Sequence, residues 1–173
     1  KIIEWTIDNY NFEKNPIISK DKIKIIKSLS KKCNLKIESV TCDFYMERPI
    51  TQCQSYYLKK RVFNKVLKII NSCRIHKIKN IIIPLVDNSS LENKNKENKT
   101  LEFFKKFDKL LEQSNIKILF EIDYSPKKVL NFINNFNNNF GINYDTGNSA
   151  SLGFKLNEEK IYFKRVKNIH IKD

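Results

Sequence analysis

Three apolar runs in the second half of the sequence end on side chains able to bind a metal ion. IKILFE closes on Glu121, GINYD on Asp145 and VKNIH on His170. The intervals are 24 residues from 121 to 145 and 25 from 145 to 170, each about one strand plus one helix. In a parallel α/β barrel, strands one such unit apart are neighbours, and their C-terminal ends open on one mouth. Two carboxylates and an imidazole on successive strands would then converge on one point, a ligand set suited to a divalent cation such as Zn²⁺ or Mn²⁺. Taken singly, each residue could equally be a polar strand end that solvates its loop. Three in register favour a shared role.

The elements that must carry these residues alternate along the whole chain. Apolar, β-branched runs at Ile2–Trp5, Leu35–Phe44, Ile81–Val86, Ile116–Ile122, Gly141–Tyr144 and Val166–Ile171 predict strands buried on both faces of a parallel sheet. Between them, helical spacing of apolar residues predicts helices within Lys20–Cys33, Gln54–Arg74 and Thr100–Gln113. Ser125-Pro126 predicts the start of a helix over Lys127–Asn137, and Asn157-Glu158-Glu159 the start of a shorter one. The low-complexity stretches Glu92–Lys99 and Asn134–Asn139 are expected to be solvated loop or helix end. Six strands and five helices make a right-handed β(αβ)₅ series, compatible with an open doubly wound sheet or with most of a (β/α)₈ barrel. No G-x-G-x-x-G follows any strand and only three glycines exist, which disfavours a dinucleotide-binding sheet. The expected fold class is therefore α/β, an incomplete (β/α)₈ TIM barrel in a single domain over residues 1–173, short of the eight strands that close a barrel. Lys1 enters a strand almost at once and IHIKD reads as a strand with nothing after it, so a fragment of a longer chain is expected.

Composition limits the partners. Lys and Arg outnumber Asp and Glu by 33 to 19, a formal charge of +14. The basic residues are lysines scattered on polar helix faces, with no dense arginine block, so a nucleic-acid partner is disfavoured. Abundant Ile, Asn and Lys together look like a coding bias and not a selected patch. Cys33, Cys42, Cys53 and Cys73 have no CxxC spacing, and reduced cytosolic (cytoplasmic) thiols are expected. No apolar run reaches the ~20 residues of a membrane span.

FEIDYSP at Phe120–Pro126, FGINYDTGNSASLGF at Phe140–Phe154 and RVKNIHIKD at Arg165–Asp173 carry a family resemblance. So do IIEWTID at Ile2–Asp8, SVTCDFYM at Ser39–Met46 and IIIPLVDNSSLEN at Ile81–Asn93. Together they resemble sugar phosphate isomerase/epimerase proteins of the xylose-isomerase-like barrel superfamily, from the second barrel strand to the seventh. The resemblance implies one divalent ion (Mn²⁺, Zn²⁺, Mg²⁺ or Co²⁺) held by Glu121, Asp145, His170 and an acidic residue on an eighth strand beyond Asp173. It implies a small-molecule sugar or sugar phosphate as partner, with homo-oligomerisation possible. Glu121 would be ligand and catalytic base, removing a carbon-bound proton to form an enediolate. Related activities, polyol dehydration or apurinic endonuclease cleavage, and an inactive carbohydrate-binding barrel are the alternatives.

One departure matters. Some of these epimerases and the endonucleases carry a His three residues after the strand-six Asp, where this chain has Asn148, a poor ligand for a second metal. With two histidines in all, a three-metal site is hard to build. Further candidates for substrate contact are Glu4 and Trp5 closing the first strand, Asp43 and Asp87 in loops after strands, and Lys172; core packing is an equal reading of Trp5, and a solvated loop acid the alternative for each Asp. Asp173 is a candidate for holding the His170 tautomer. His76 is expected at a helix end, away from the mouth. With its sheet unclosed, the chain alone is expected to show no turnover.

Overall fold

The computed structural model describes residues 1–172. Six strands, β1 (Ile2–Thr6), β2 (Lys36–Thr41), β3 (Asn80–Leu85), β4 (Lys117–Ile122), β5 (Phe140–Asp145) and β6 (Val166–His170), form one all-parallel sheet in sequence order. Every apolar run assigned to a strand from the sequence contains one, although β2 stops at Thr41 and Phe44, expected in it, opens a helix. Helices α1 (Ile23–Lys32), α2 (Phe44–Glu47) and α3 (Tyr56–His76) occupy the first two crossovers. Helices α4 (Lys94–Lys105), α5 (Asp108–Ser114), α6 (Pro126–Ile133), α7 (Thr146–Ser151) and α8 (Leu156–Glu159) occupy the rest.

The sheet is rolled. Five steps between neighbouring strands at ~4.8 Å would hold β1 and β6 about 24 Å apart in a flat sheet. Instead His170 Nε2 at the end of β6 lies 2.9 Å from Glu4 Oε1 on β1. The six strands thus make a curled half-barrel, an incomplete (β/α) TIM barrel. Among the described residues no strand pairs with the outer edge of β1 or of β6.

Alternation along the strands sorts side chains between two faces. Val40, Ile81, Ile83, Ile118, Phe120, Phe140 and Ile142 point outward into the core shared with the helices. An aromatic chain fills that core: Phe104, Phe132, Phe136 and Phe140 all contact Phe120, with ring centroids 5.1–6.0 Å apart. The other strand face carries the polar residues of the site.

Helices differ from the sequence reading in number and in limits: α2 and α7 were not expected, and α6 stops at Ile133, short of Asn137. The stretch Glu92–Lys99, expected as solvated loop or helix end, supplies the first turns of α4. Asn93 accepts a hydrogen bond from Lys96 N at 3.0 Å, and Lys94–Glu97 and Lys96–Glu92 pairs line the exposed side. A helix with a polar first half gives no apolar period, yet the cap and the packing of Thr100, Leu101, Phe103 and Phe104 hold it. The helix expected over Thr100–Gln113 is broken at Lys106-Phe107, where Phe107 turns into the core. Lys155, not Asn157, stands at the cap of α8, with Glu158 Oε2 accepting from its backbone N–H at 3.2 Å. Elsewhere Pro126 opens α6 as expected, although the Ser125 side chain makes no cap bond.

Candidate metal centre

Residues two apart on one strand share a face, so the side chains at each strand end arrive in pairs. On the inner face these are Ser39 and Thr41 on β2, Asn143 and Asp145 on β5, and Asn168 and His170 on β6. Glu4 on β1 and Glu121 on β4 join them. Cross-strand register sets Asp145 beside His170 and Asn143 beside Asn168. Gly141 makes that pairing possible: a Cβ there would stand 2.9 Å from the Arg165 carbonyl oxygen and 3.0 Å from Leu119 Cδ2.

Glu121, Asp145 and His170 each offer one ligand atom, and these atoms lie within 4.8 Å of one another. The shortest approach is His170 Nδ1 to Glu121 Oε2 at 3.2 Å, followed by Nδ1 to Asp145 Oδ2 at 3.8 Å. Two ligands on bonds of ~2.1 Å can stand at most about 4.2 Å apart, so a cation would draw the widest pair together by at least about half an ångström. Oxygen and nitrogen donors of this kind suit a divalent first-row ion. Asp145 Oδ2, buried and without an aligned hydrogen bond, has the Lys172 ammonium 2.6 Å away, so a positive charge already stands beside it.

Amides brace the acids. Asn143, essentially sealed from solvent, donates to Glu121 Oε2 at 2.8 Å and accepts from Asn168 Nδ2 at 2.8 Å. Its Nδ2 is also 3.0 Å from His170 Nδ1, a contact that becomes a hydrogen bond only when that ring nitrogen is bare. Asn148 Nδ2 donates to Glu121 Oε1 at 2.9 Å, while its backbone N–H caps Asp145 Oδ1 at 2.9 Å as α7 begins.

Protons and a lysine balance the carboxylates. Hydrogen bonds to Glu121 and then Glu4 raise the His170 pKa to about 10, against the opposing effect of burial. Burial raises the Asp145 pKa, but Lys172, with Nζ 2.6 Å from Oδ2, and the Asn148 N–H reverse this and hold it below the usual carboxylate range. Burial likewise opposes ionisation of Glu4, and its bonds to His170, Ser39 and Thr41 prevail to lower its pKa. Burial and then the charge of Glu121 raise the pKa of Asp43, which stands between β2 and α2.

Glu4 therefore lies within this cluster. Asn148 and Lys172 do as well, each on a carboxylate of the set. Trp5 does not: it occupies the opposite face of β1, packs on the core, and donates from Nε1 to Asn15 Oδ1 at 3.1 Å. Asp87 sits in the turn after β3 with φ of 50° and an exposed side chain. Asp173 lies outside the described residues. His76 ends α3, as the sequence indicated. Asn143, Asn168, Ser39 and Thr41 were not singled out from the sequence. The signal for the two asparagines was present in N-x-D and N-x-H, where parity puts each on the face of its ligand.

No protein-family model and no curated protein matches this sequence. Solved structures do. D-psicose 3-epimerase with D-tagatose, from Clostridium cellulolyticum H10, superposes with a TM-score of 0.81 at 13% identity, over 99% of this chain and 63% of that one. A xylose isomerase domain protein from Planctomyces limnophilus gives 0.73 at 11% identity, over 98% and 62%. The apo 3-keto-D-glucoside 4-epimerase YcjR from E. coli gives 0.68 at 11%, over 100% and 80%. This chain thus spans under two thirds of the length of the first two. Its rolled sheet, in six consecutive strands, has the fold of the xylose isomerase-like barrels.

Proposed function

We propose that this chain provides three ligands, Glu121, Asp145 and His170, to one divalent cation in an isomerase or epimerase of a sugar or sugar phosphate. The observation that carries this reading is the convergence of the three ligand atoms within 4.8 Å at the ends of three successive strands. The sugar epimerases among the structural neighbours support the reaction class, and the ends of barrel strands are where such folds place their chemistry.

When bound, the cation would supply Lewis acidity, drawing electron density from adjacent carbonyl and hydroxyl oxygens of the sugar. In this reading Glu121 takes the neighbouring carbon-bound proton. Asn143 and Asn148, one on each carboxylate oxygen, fix the plane of Glu121 and so the direction of its lone pairs. Protonation of the resulting enediolate on the other face gives an epimer, and on the other carbon an isomer. Asn148 stands where a second-metal His would be needed for phosphodiester cleavage, and its amide is already spent on Glu121.

Titration calorimetry with Mn²⁺ and Zn²⁺ tests the metal. One equivalent should bind, and Glu121→Ala should weaken binding by at least tenfold; unchanged affinity in that variant contradicts the site. The reaction class is read by NMR with a panel of ketoses and aldoses in D₂O, on a protein in which this sheet is closed. Exchange of a single carbon-bound proton is expected. Loss of water, or nicking of abasic DNA, would replace this reading with a dehydratase or an endonuclease.

A further inference from the structure

Glu4 is the one carboxylate of the cluster that reaches it from the far edge of the sheet. Its Oε2 accepts from Ser39 Oγ at 2.5 Å and its Oε1 from Thr41 Oγ1 at 2.5 Å. Both hydroxyls come from β2, the neighbouring strand, in register with Glu4 and Thr6 respectively. The carboxylate is thus fixed before it meets anything across the barrel, and both its oxygens are engaged. What it meets is the back of the imidazole: His170 Nε2 lies 2.9 Å from Oε1, while Nδ1 faces Glu121 and Asp145. Nε2 is buried and has no other partner; its contact with Oε1 is short but not yet aligned as a hydrogen bond.

We propose that Glu4 is a positioning residue for the metal centre. Its carboxylate keeps the imidazole proton on Nε2 and so leaves the Nδ1 lone pair to the cation. This rests on the metal reading above and reassigns Glu4 from sugar contact to ligand orientation. The physical reason is general: a ligating imidazole whose remote N–H is held by a carboxylate has its tautomer and ring angle fixed and its ligand nitrogen made more basic. Ser39 and Thr41 complete the device by holding the carboxylate in turn. Lysine would be no substitute at position 4, because the remote nitrogen needs an acceptor.

The test uses Zn²⁺ affinity together with ¹⁵N NMR of histidine-labelled protein, in which only His76 and His170 contribute. In the wild type with Zn²⁺, His170 should show a protonated Nε2 and a coordinated Nδ1. Glu4→Ala should bind Zn²⁺ about 10–100-fold more weakly. Glu4→Gln keeps an oxygen acceptor of the same shape and should fall between the two, with Nε2 still protonated. It also serves as the informative variant if Glu4→Ala fails to fold. Wild-type affinity in both Glu4 variants, beside lost affinity in Glu121→Ala, overturns this proposal alone. Zinc on Nε2 in the wild type overturns it as well. Undiminished affinity in Glu121→Ala removes the metal reading, and this proposal with it.

Discussion

His170 is the residue on which the charge balance of the site turns. Its ring contacts Glu121 through Nδ1 and Glu4 through Nε2, and these carboxylates raise its pKa from the ordinary value near 6.5 to about 10. Because the folded value is the higher one, the ion pairs stabilise the metal-free protein fully below about pH 6.5. That contribution fades as pH climbs and is gone above about 10. Thermal melts in EDTA should therefore show the margin of wild type over His170→Asn shrinking steadily from pH 6.5 towards pH 10. A constant margin across that window would contradict the pairing. The same proton must leave before Nδ1 can hold a cation, so metal binding releases it. Mn²⁺ affinity should rise by up to tenfold per pH unit between pH 6.5 and 8, and calorimetry in buffers of different ionisation enthalpy should count about one proton released.

At the scale of elements, the site depends on how closely β6 lies against β5. Gly141 permits this, since a methyl group there meets the backbone oxygen of Arg165 at 2.9 Å, and a backbone atom cannot swing aside as a side-chain tip can. Gly141→Ala should cost about 1–3 kcal/mol in chemical denaturation and weaken metal binding by displacing His170 relative to Asp145. Full stability in that variant would show the strand spacing to be slack. The alternation of strand and helix was legible from β-branched runs and helical spacing, because strands buried on both faces leave continuous apolar stretches. The convergence of Glu121, Asp145 and His170 was legible because each closes such a run. The polar start of α4 was not, since its stability comes from a cap and from packing that begins one turn later. Nor did the sequence decide between sugar stacking and core packing for Trp5: which face a strand-end side chain takes depends on parity fixed by the whole sheet, with a register shift at Ile3 and Glu4. The asparagines that brace the acids carry no charge and no apolar period, so only their two-residue offset from a ligand marks them.

For the whole molecule, the curl of the sheet brings residues 166 positions apart in sequence into one cluster, from Glu4 to His170. The same curl leaves both outer sheet edges without a strand partner among the described residues. A proton-transfer site needs water excluded, and where β1 and β6 approach each other the His170 and Glu4 side chains keep 21% and 28% of their surface exposed. The isolated chain is expected to bind a metal but to exchange no carbon-bound hydrogen of a sugar in D₂O. Detectable exchange, lost in Glu121→Gln, would show that six strands suffice. The unpaired edges also predict fast amide hydrogen exchange in β1 and β6 relative to β3 and β4, measurable by mass spectrometry.

Crystals grown with Zn²⁺ and measured at the zinc absorption edge address the metal centre most directly. A single anomalous peak about 2.0–2.2 Å from a carboxylate oxygen of Glu121, one of Asp145 and Nδ1 of His170 is the result expected. A peak elsewhere on the surface, or none at the ends of β4, β5 and β6, would contradict a cation-binding role for these three side chains.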